Sequence, residues 1–599
     1  MLEAHRSGAH KKISEYFRAG YYFNAFDEAM TALPDYPDDI GLKHVAVLSL
    51  LRGGSLQAAE TLFEDFNLAI ETHEDILALS GRLVKGQIEE LGAAASLDLY
   101  TKAALLYEKT YELARGSYSG VNAASLWYMA GDKERAEKIA TDILTDDKIA
   151  QLNNNQSEYY RYATRAECLF ILGEEGGAKA ALDLALSVDP GNYGARASTL
   201  RQFKMLGGGQ TPACAEPLQV PRILHYTGHL FYIGPLRPER SLTPEETETL
   251  SADIKARLNR RPISSAFGAL AAGADILFAE SLLELGIDLH VVLPVPAKDF
   301  KRLSVTPMGA YWEPRFEAAL ARAKTVRVIL EDPGDFDGLD LKMGSLIAMG
   351  LARLAAERLN TDPMQISVMD KESADTTLLG TRYDIKLWHE AGGTTENINW
   401  PHSRQTKPDV QLPAPDRRFF RAMLFTDLKG YGRLPDRALP DIVTDVFEPM
   451  AKRCQTLAEP PLDMKSWGDG LFLVFETPLA AARAAFEIMD VFKQSVASKP
   501  DVDERDLSLR IGVHFGPVWE RQDPFTQSPN LYGRHVTTAA RLEALAIPGT
   551  ICVSENFAAV IEMMRTGDKR EFICDYAGRA KSKKEETEFS LYSLRKAQS

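Results

Sequence analysis

Over residues 1–206 apolar positions recur at helical spacing among Ala, Leu, Glu and Lys, with few β-branched runs, and predict a helix-rich region. Within it Gly53, Gly131 and Gly173 each precede an alanine by five positions, at Ala58, Ala136 and Ala178, and a further apolar residue follows four later, at Leu62, Ala140 and Leu182. Glycine suits the turn between paired helices, and the small residues suit close helix crossings. Residues 207–219 (GGGQTPACAEPLQ) lose all periodicity and predict a linker. From Ile223 to Trp388 short apolar runs such as ILHYTGHLF, ISSAFGAL, LHVVLPVP and TVRVILED alternate with helical stretches, which predicts an α/β domain over 220–388 with a parallel sheet of Rossmann-like type. Residues 389–416 are polar and rich in Gly and Pro, and predict a second linker before a last domain over 417–599. In that domain apolar runs end in turns or helix starts carrying a carboxylate, a Lys or an Arg.

The spacing in the helical region resembles tetratricopeptide repeats, with unequal intervals that imply insertions or degenerate units. The resemblance implies an all-α solenoid whose concave face is a candidate protein-binding or oligomerising surface. In the middle domain Gly268, Ala271, Ala272, Gly273 and Ala274 form a small-residue loop between a strand and a helix, where backbone N–H groups can meet a phosphate. A GH pair near the first strand followed by AAGADILFAESLLELGIDLHVVLP resembles the SLOG/LOG group of Rossmann-like nucleotide-binding proteins, which implies a nucleotide ligand. Asp275 and Glu280 would contact a ribose or act on a glycosidic bond in such a protein. The plainer reading has Asp275 capping its helix and Glu280 facing solvent.

Charge narrows the partners. The 599 residues carry 69 Lys and Arg against 84 Asp and Glu, a net charge of -15, with no basic arm. That balance argues against nucleic acid and anionic membrane as nonspecific partners. Five dispersed cysteines without a C-x-x-C pair read as reduced thiols, and no apolar run is long enough to span a bilayer. A soluble cytoplasmic chain is expected.

The last domain contains FTDLKGY (Phe425–Tyr431), KSWGDGLFLVF (Lys465–Phe475), LRIGVHFGPV (Leu509–Val518) and YGRHVTTAARLEA (Tyr532–Ala544). Asp427 is read as ending an apolar strand before a loop with Gly430, Tyr431 and Gly432, where a carboxylate can hold Mg2+ or Mn2+ and freed N–H groups can cradle a triphosphate. Asp469 sits in a GDG hairpin turn four residues after Lys465. Together these blocks resemble the catalytic domain of the class III nucleotidyl cyclases, the adenylate and guanylate cyclase family.

The resemblance implies a ferredoxin-like α+β sheet acting as a head-to-tail homodimer on ATP, with two divalent ions, Mg2+ or Mn2+, per site. It assigns Asp427 and Asp469 to the metals, Lys465 and Asn530 to the base, and Arg541 to transition-state charge. Lys581, Lys583 and Lys584 are equal candidates for the triphosphate. His514, in a strand between Gly512 and Gly516, is read as structural rather than as a general base. The pattern departs at Thr537, where the family has an Asn holding the ribose or phosphoryl group. Losing one such contact costs on the order of 2.7 to 4 kcal/mol of transition-state stabilisation. The sequence therefore supports an adenylate cyclase regulated by its upstream domains, and beside it a cyclase-like nucleotide sensor or assembly module of low turnover. A cyclase preferring CTP or GTP is the remaining alternative.

Overall fold

The computed structural model describes residues 2–146, 157–231, 233, 242–330, 338–370, 380–400, 418–498, 507–565, 570–581 and 588–597. Lys583 and Lys584 lie outside the described residues.

The N-terminal region is built of antiparallel helix pairs, among them Ile40–Arg52 with Leu56–Asp65, Ser117–Ala130 with Lys133–Thr145, and Glu158–Ile171 with Glu175–Val188. Gly131 (φ 92°) and Gly173 (φ 78°) close the first helix of their pairs in the left-handed conformation, which costs glycine nothing. In the earliest pair that conformation falls on Gly54 (φ 84°) rather than Gly53 (φ -77°). The five-residue spacing therefore lands on Ala59, which is fully buried like Ala136 and Ala178, while Ala58 is half-buried. Residues expected to form the first linker are packed instead. Ala213–Leu218 makes a 3-10 turn whose Cys214, Ala215 and Leu218 are buried against the last helix pair.

The middle region holds an all-parallel sheet of β1 (Arg222–Gly228), β2 (Ile263–Gly268), β3 (Asp288–Leu293), β4 (Thr325–Val328), β5 (Pro363–Met369) and β6 (Thr395–Asn399), in the order β4-β3-β2-β1-β5-β6. Strands β1 and β5 are buried along their length, as a sheet covered by helices on both faces requires. Strand β6 lies inside the stretch expected to be the second linker. TENIN has one buried residue, Ile398, because an edge strand packs one face only, so its hydrophobic pattern is too thin to read. Asp275 is buried at the start of its helix and accepts from the Ala271 N–H, and burial pushes its carboxyl up to about 7. Glu280 does not face solvent alone, because Arg315 clamps it, with Nε 2.7 Å away.

The C-terminal region folds around a mixed sheet in the order β13-β14-β12-β10-β7-β9-β8, with β11 paired to β10. Its strands are β7 (Arg418–Lys429), β8 (Asp463–Trp467), β9 (Gly470–Phe475), β10 (Ser508–Gln522), β11 (Pro529–Tyr532), β12 (Ile551–Ser554), β13 (Phe572–Lys581) and β14 (Glu588–Lys596). Helices Pro478–Ala497 and Glu555–Met563 bury their apolar residues in the main core, while helix Arg534–Leu545 packs over β10 and β7. This is the α+β sheet the resemblance implies.

One hydrophobic cluster takes residues from all three regions, while the middle sheet and the repeats also hold clusters of their own. Gly350 of helix Gly338–Arg358 lies against the backbone of Ala559, and Arg418 pairs with buried Asp340 at 2.6 Å. On the repeat side Tyr576 of β13 donates its N–H to Ser55 and its hydroxyl to Asp27 (2.7 Å each), and its ring stacks on Phe23. Among the described residues no helix is long and apolar enough to cross a membrane.

Candidate active site

Two clusters of functional side chains form on the C-terminal sheet. The first grows from strand register. Asp427 lies inside β7, two residues before its end rather than at it, and stands directly opposite Arg510 of β10. That cross-strand register brings the guanidinium onto the carboxylate. Thr426 pairs with Leu471, so the β8–β9 turn falls beside Asp427 and Leu428. The turn has two residues, with Gly468 at φ 60° in the first position, as a type II′ hairpin demands. Its second residue is Asp469. Burial raises the Asp469 carboxyl, and the charge of Asp427 raises it further against the Arg510 cation.

Sequence reasoning missed two members of this cluster. Arg510 is one; nothing marks it in LRIGVHF until the register with β7 is known. Glu543 is the other, on helix Arg534–Leu545, with Oε1 3.2 Å from Arg510 Nε in an ion pair that lacks hydrogen-bond alignment. Burial pushes Glu543 up to about 7, with the charges of Asp427 and Asp469 adding to it and Arg510 opposing. Two carboxylates thus pair with one guanidinium, and a third, Asp469, lies within reach of its charge. The excess negative charge is what a divalent cation neutralises, so the donor set fits Mg2+ or Mn2+. Among the described residues no group of three His, Cys, Asp or Glu is arranged to hold a metal by itself. Two carboxylates plus substrate phosphate oxygens is the usual Mg2+ arrangement.

The second cluster grows from the β8 edge and the β10–β11 hairpin. Lys465 Nζ donates to the Pro529 carbonyl (3.0 Å) and to Asn530 Oδ1 (2.6 Å), and lies 3.1 Å from Asp463 in an ion pair. The two residues expected to read a base are therefore brought together within one chain. Asn530 Nδ2 donates to Asp523 Oδ2 at 2.9 Å. Asp523 was also missed, although Asp523-Pro524 is a turn signal. Its Oδ1 accepts from the Phe525 and Thr526 N–H groups at 2.8 and 3.0 Å, and these bonds hold its carboxyl below the usual range.

Thr537 and Arg541 lie one turn apart on helix Arg534–Leu545 and share a face, Thr537 exposed and Arg541 half-buried. Glu543 lies two residues beyond Arg541, about 200° round the helix, so the face that pairs with Arg510 is not the face of Arg541. Gly430 takes a left-handed conformation (φ 97°) and starts a 3-10 turn, Tyr431–Arg433, in which Tyr431 tilts against Phe447. Lys581 ends β13 and is exposed. His514 is buried, 2.7 Å from both Ser554 Oγ and His535 Nδ1, and burial holds it neutral. It touches neither cluster.

Residues 421–594 match the family described as adenylate and guanylate cyclase catalytic domain, and residues 23–127 match tetratricopeptide repeats-sensor. An adenylate cyclase of Podospora anserina is 28% identical over 172 residues, covering 26% of this chain and 8% of that protein. One of Schizosaccharomyces pombe is 29% identical over 160 residues, covering 24% of this chain and 9% of that protein. The chain thus spans under a tenth of the length of either relative. The crystal structure of the adenylyl cyclase CyaB from P. aeruginosa aligns at 20% identity and a TM-score of 0.26, covering 30% of this chain and 96% of that one. Residues 421–594 are thus similar to adenylate and guanylate cyclase catalytic domains, on one chain with a segment similar to tetratricopeptide repeats-sensor.

Proposed function

We propose that this chain is an adenylate cyclase that converts ATP to 3′,5′-cyclic AMP and pyrophosphate in composite sites shared by two copies. The carboxylate pair Asp427 and Asp469, with negative charge in excess of the single Arg510, is the observation that carries the reading. These two residues hold Mg2+ or Mn2+, which when bound supplies Lewis acidity at the ribose 3′-oxygen and the phosphoryl oxygens. Arg541 donates to the α-phosphoryl oxygens as charge builds there, with the Thr537 hydroxyl beside it. The 3′-oxygen attacks the α-phosphorus, its proton leaves to solvent, and pyrophosphate departs. Gly430, Tyr431 and Gly432 offer backbone N–H groups to the triphosphate, and Lys581 is the candidate cation for its far end. Lys465 and Asn530 take the base.

The division between chains is supported by the helix geometry. Arg541 lies on a different face of its helix from Glu543, which pairs with Arg510 of the metal cluster, and that cluster shares no residue with the base-reading cluster. Beside that cluster Leu462, Met464, Phe525 and Tyr532 expose large apolar surface, Phe525 to 93%, which a second copy would cover. A second reading, a nucleotide-binding module of low turnover, is favoured by Arg510 sitting on Asp427, because a metal must displace it. Under either reading the repeats are a docking surface for a protein partner, the middle domain is a nucleotide sensor, and the chain is cytoplasmic.

The test is to incubate purified protein with Mn2+ and each of ATP, GTP, CTP and UTP and to identify products by mass. Cyclic AMP as the main product is expected. No cyclic product from any nucleotide rejects the enzyme reading.

A further inference from the structure

Asn530 has an amide, which in isolation can turn either its oxygen or its nitrogen toward a base. Its surroundings leave one orientation. Oδ1 accepts from Lys465 Nζ at 2.6 Å and from the Leu531 N–H at 2.9 Å, while Nδ2 donates to Asp523 Oδ2 at 2.9 Å. Turning the amide over would set an NH2 group against an ammonium and an N–H, and an oxygen against a carboxylate. Asp523 cannot yield, because its other oxygen is tied to two backbone N–H groups and Tyr532 donates its hydroxyl to Oδ2 at 3.3 Å.

Resting on the reading of Lys465 and Asn530 as the base-contacting pair, we propose that Asp523 is a positioning residue that makes Asn530 an obligate acceptor and so selects bases with an acceptor-plus-amine edge. When adenine enters, Lys465 moves its donor from Asn530 Oδ1 to N1, and the 6-amino group takes the lone pair that Lys465 releases. One hydrogen bond is exchanged for two, and no group is left unpaired. Cytosine presents the same edge through N3 and its 4-amino group. Guanine and uracil present the reverse edge, an N–H toward Lys465 and a carbonyl toward Oδ1, so both contacts oppose. A site built to hydrogen-bond one edge rejects the reversed edge strongly because its polar groups are left unpaired. The carboxylate that orients the amide thus does by relay what a carboxylate at position 530 would do directly.

The test is the ratio of affinities for 3′-deoxy-ATP and 3′-deoxy-GTP with Mg2+, measured by calorimetry on the full chain, so that the readout does not depend on turnover. Wild type should favour the adenine analogue. Asp523→Asn supplies an amide that can itself turn over, so it should lower the adenine-to-guanine ratio by about tenfold or more. The exchange Asp523→Asn with Asn530→Asp restores a carboxylate facing Lys465, held by the amide, and should bring the ratio back. If Asp523→Asn keeps the wild-type ratio, or the double variant fails to recover it, the positioning role is overturned while cyclase activity can still stand. If wild type prefers the guanine analogue or binds neither, the base-reading pair is overturned with it. Discrimination that persists in a chain without turnover would support the positioning role and reject catalysis alone.

Discussion

Replacing Gly512 with alanine perturbs the site without touching a proposed ligand. A Cβ at that position would lie 2.2 Å from Glu543 N, 2.6 Å from Glu543 Cα and 2.8 Å from Leu542 C, all of them backbone atoms of helix Arg534–Leu545. Ordinary Cβ contacts begin near 3.4 Å, so the helix must withdraw by about 1.2 Å, the difference between 3.4 and 2.2 Å. That helix carries Thr537 and Arg541 on one face and Glu543 on another. A displacement of about 1 Å in a catalytic element costs roughly a hundredfold in rate. Overpacking at a close helix–strand crossing also costs about 1 to 3 kcal/mol of stability. Cyclase kcat should therefore fall about a hundredfold in Gly512→Ala, with a lowered unfolding midpoint. Gly176→Ala is the control, because nothing lies within 4 Å of its Cβ position and it sits in a helix. That variant should keep full activity and be stabilised by up to about 1 kcal/mol. Wild-type kcat in Gly512→Ala would refute the idea that the approach of this helix to β10 sets the site.

Tyr576→Phe removes the hydroxyl that Asp27 accepts at 2.7 Å, leaving a half-satisfied carboxylate between the repeats and β13. Denaturant unfolding should show a loss of about 1 to 2 kcal/mol, and unchanged stability would mean this contact does not tie the two regions. His225, His290 and His535 are each held neutral by burial, with pKa values lowered to about 3. In the unfolded chain they take up protons below about pH 6.5, so the stability they contribute is complete above that pH and is lost as pH falls toward 3. His225→Gln should make the loss between pH 6.5 and 5 shallower by up to about 1.4 kcal/mol per pH unit in urea titrations, and an unchanged slope would contradict the burial argument.

Much of this was legible in the sequence because it rests on local chemistry. The GDG hairpin follows from glycine at the first position of a two-residue turn, and the parallel sheet follows from fully apolar strands alternating with helices. Strand β6 escaped because an edge strand buries one face, and Ala59 was misplaced to Ala58 because either of two adjacent glycines could supply the left-handed turn. Arg510 and Glu543 could not be found from spacing. Their roles come from the register of β10 on β7 and from the rotation of one helix, both long-range properties. Asp523 was accessible as a turn residue, but its bearing on Asn530 appears only once the hairpin closes.

The composite site is tested most directly by complementation. Asp427→Ala and Arg541→Ala homodimers should each be nearly inactive, since every site in them lacks either a metal ligand or the phosphoryl-binding arginine. When the two variants are co-expressed with different tags and the doubly tagged dimer is purified, one site collects both lesions and the other has neither. That dimer should make cyclic AMP at about half the wild-type rate per dimer. A doubly tagged dimer as inactive as its parents would contradict the account, and would place the metal carboxylates and Arg541 of a working site on the same chain.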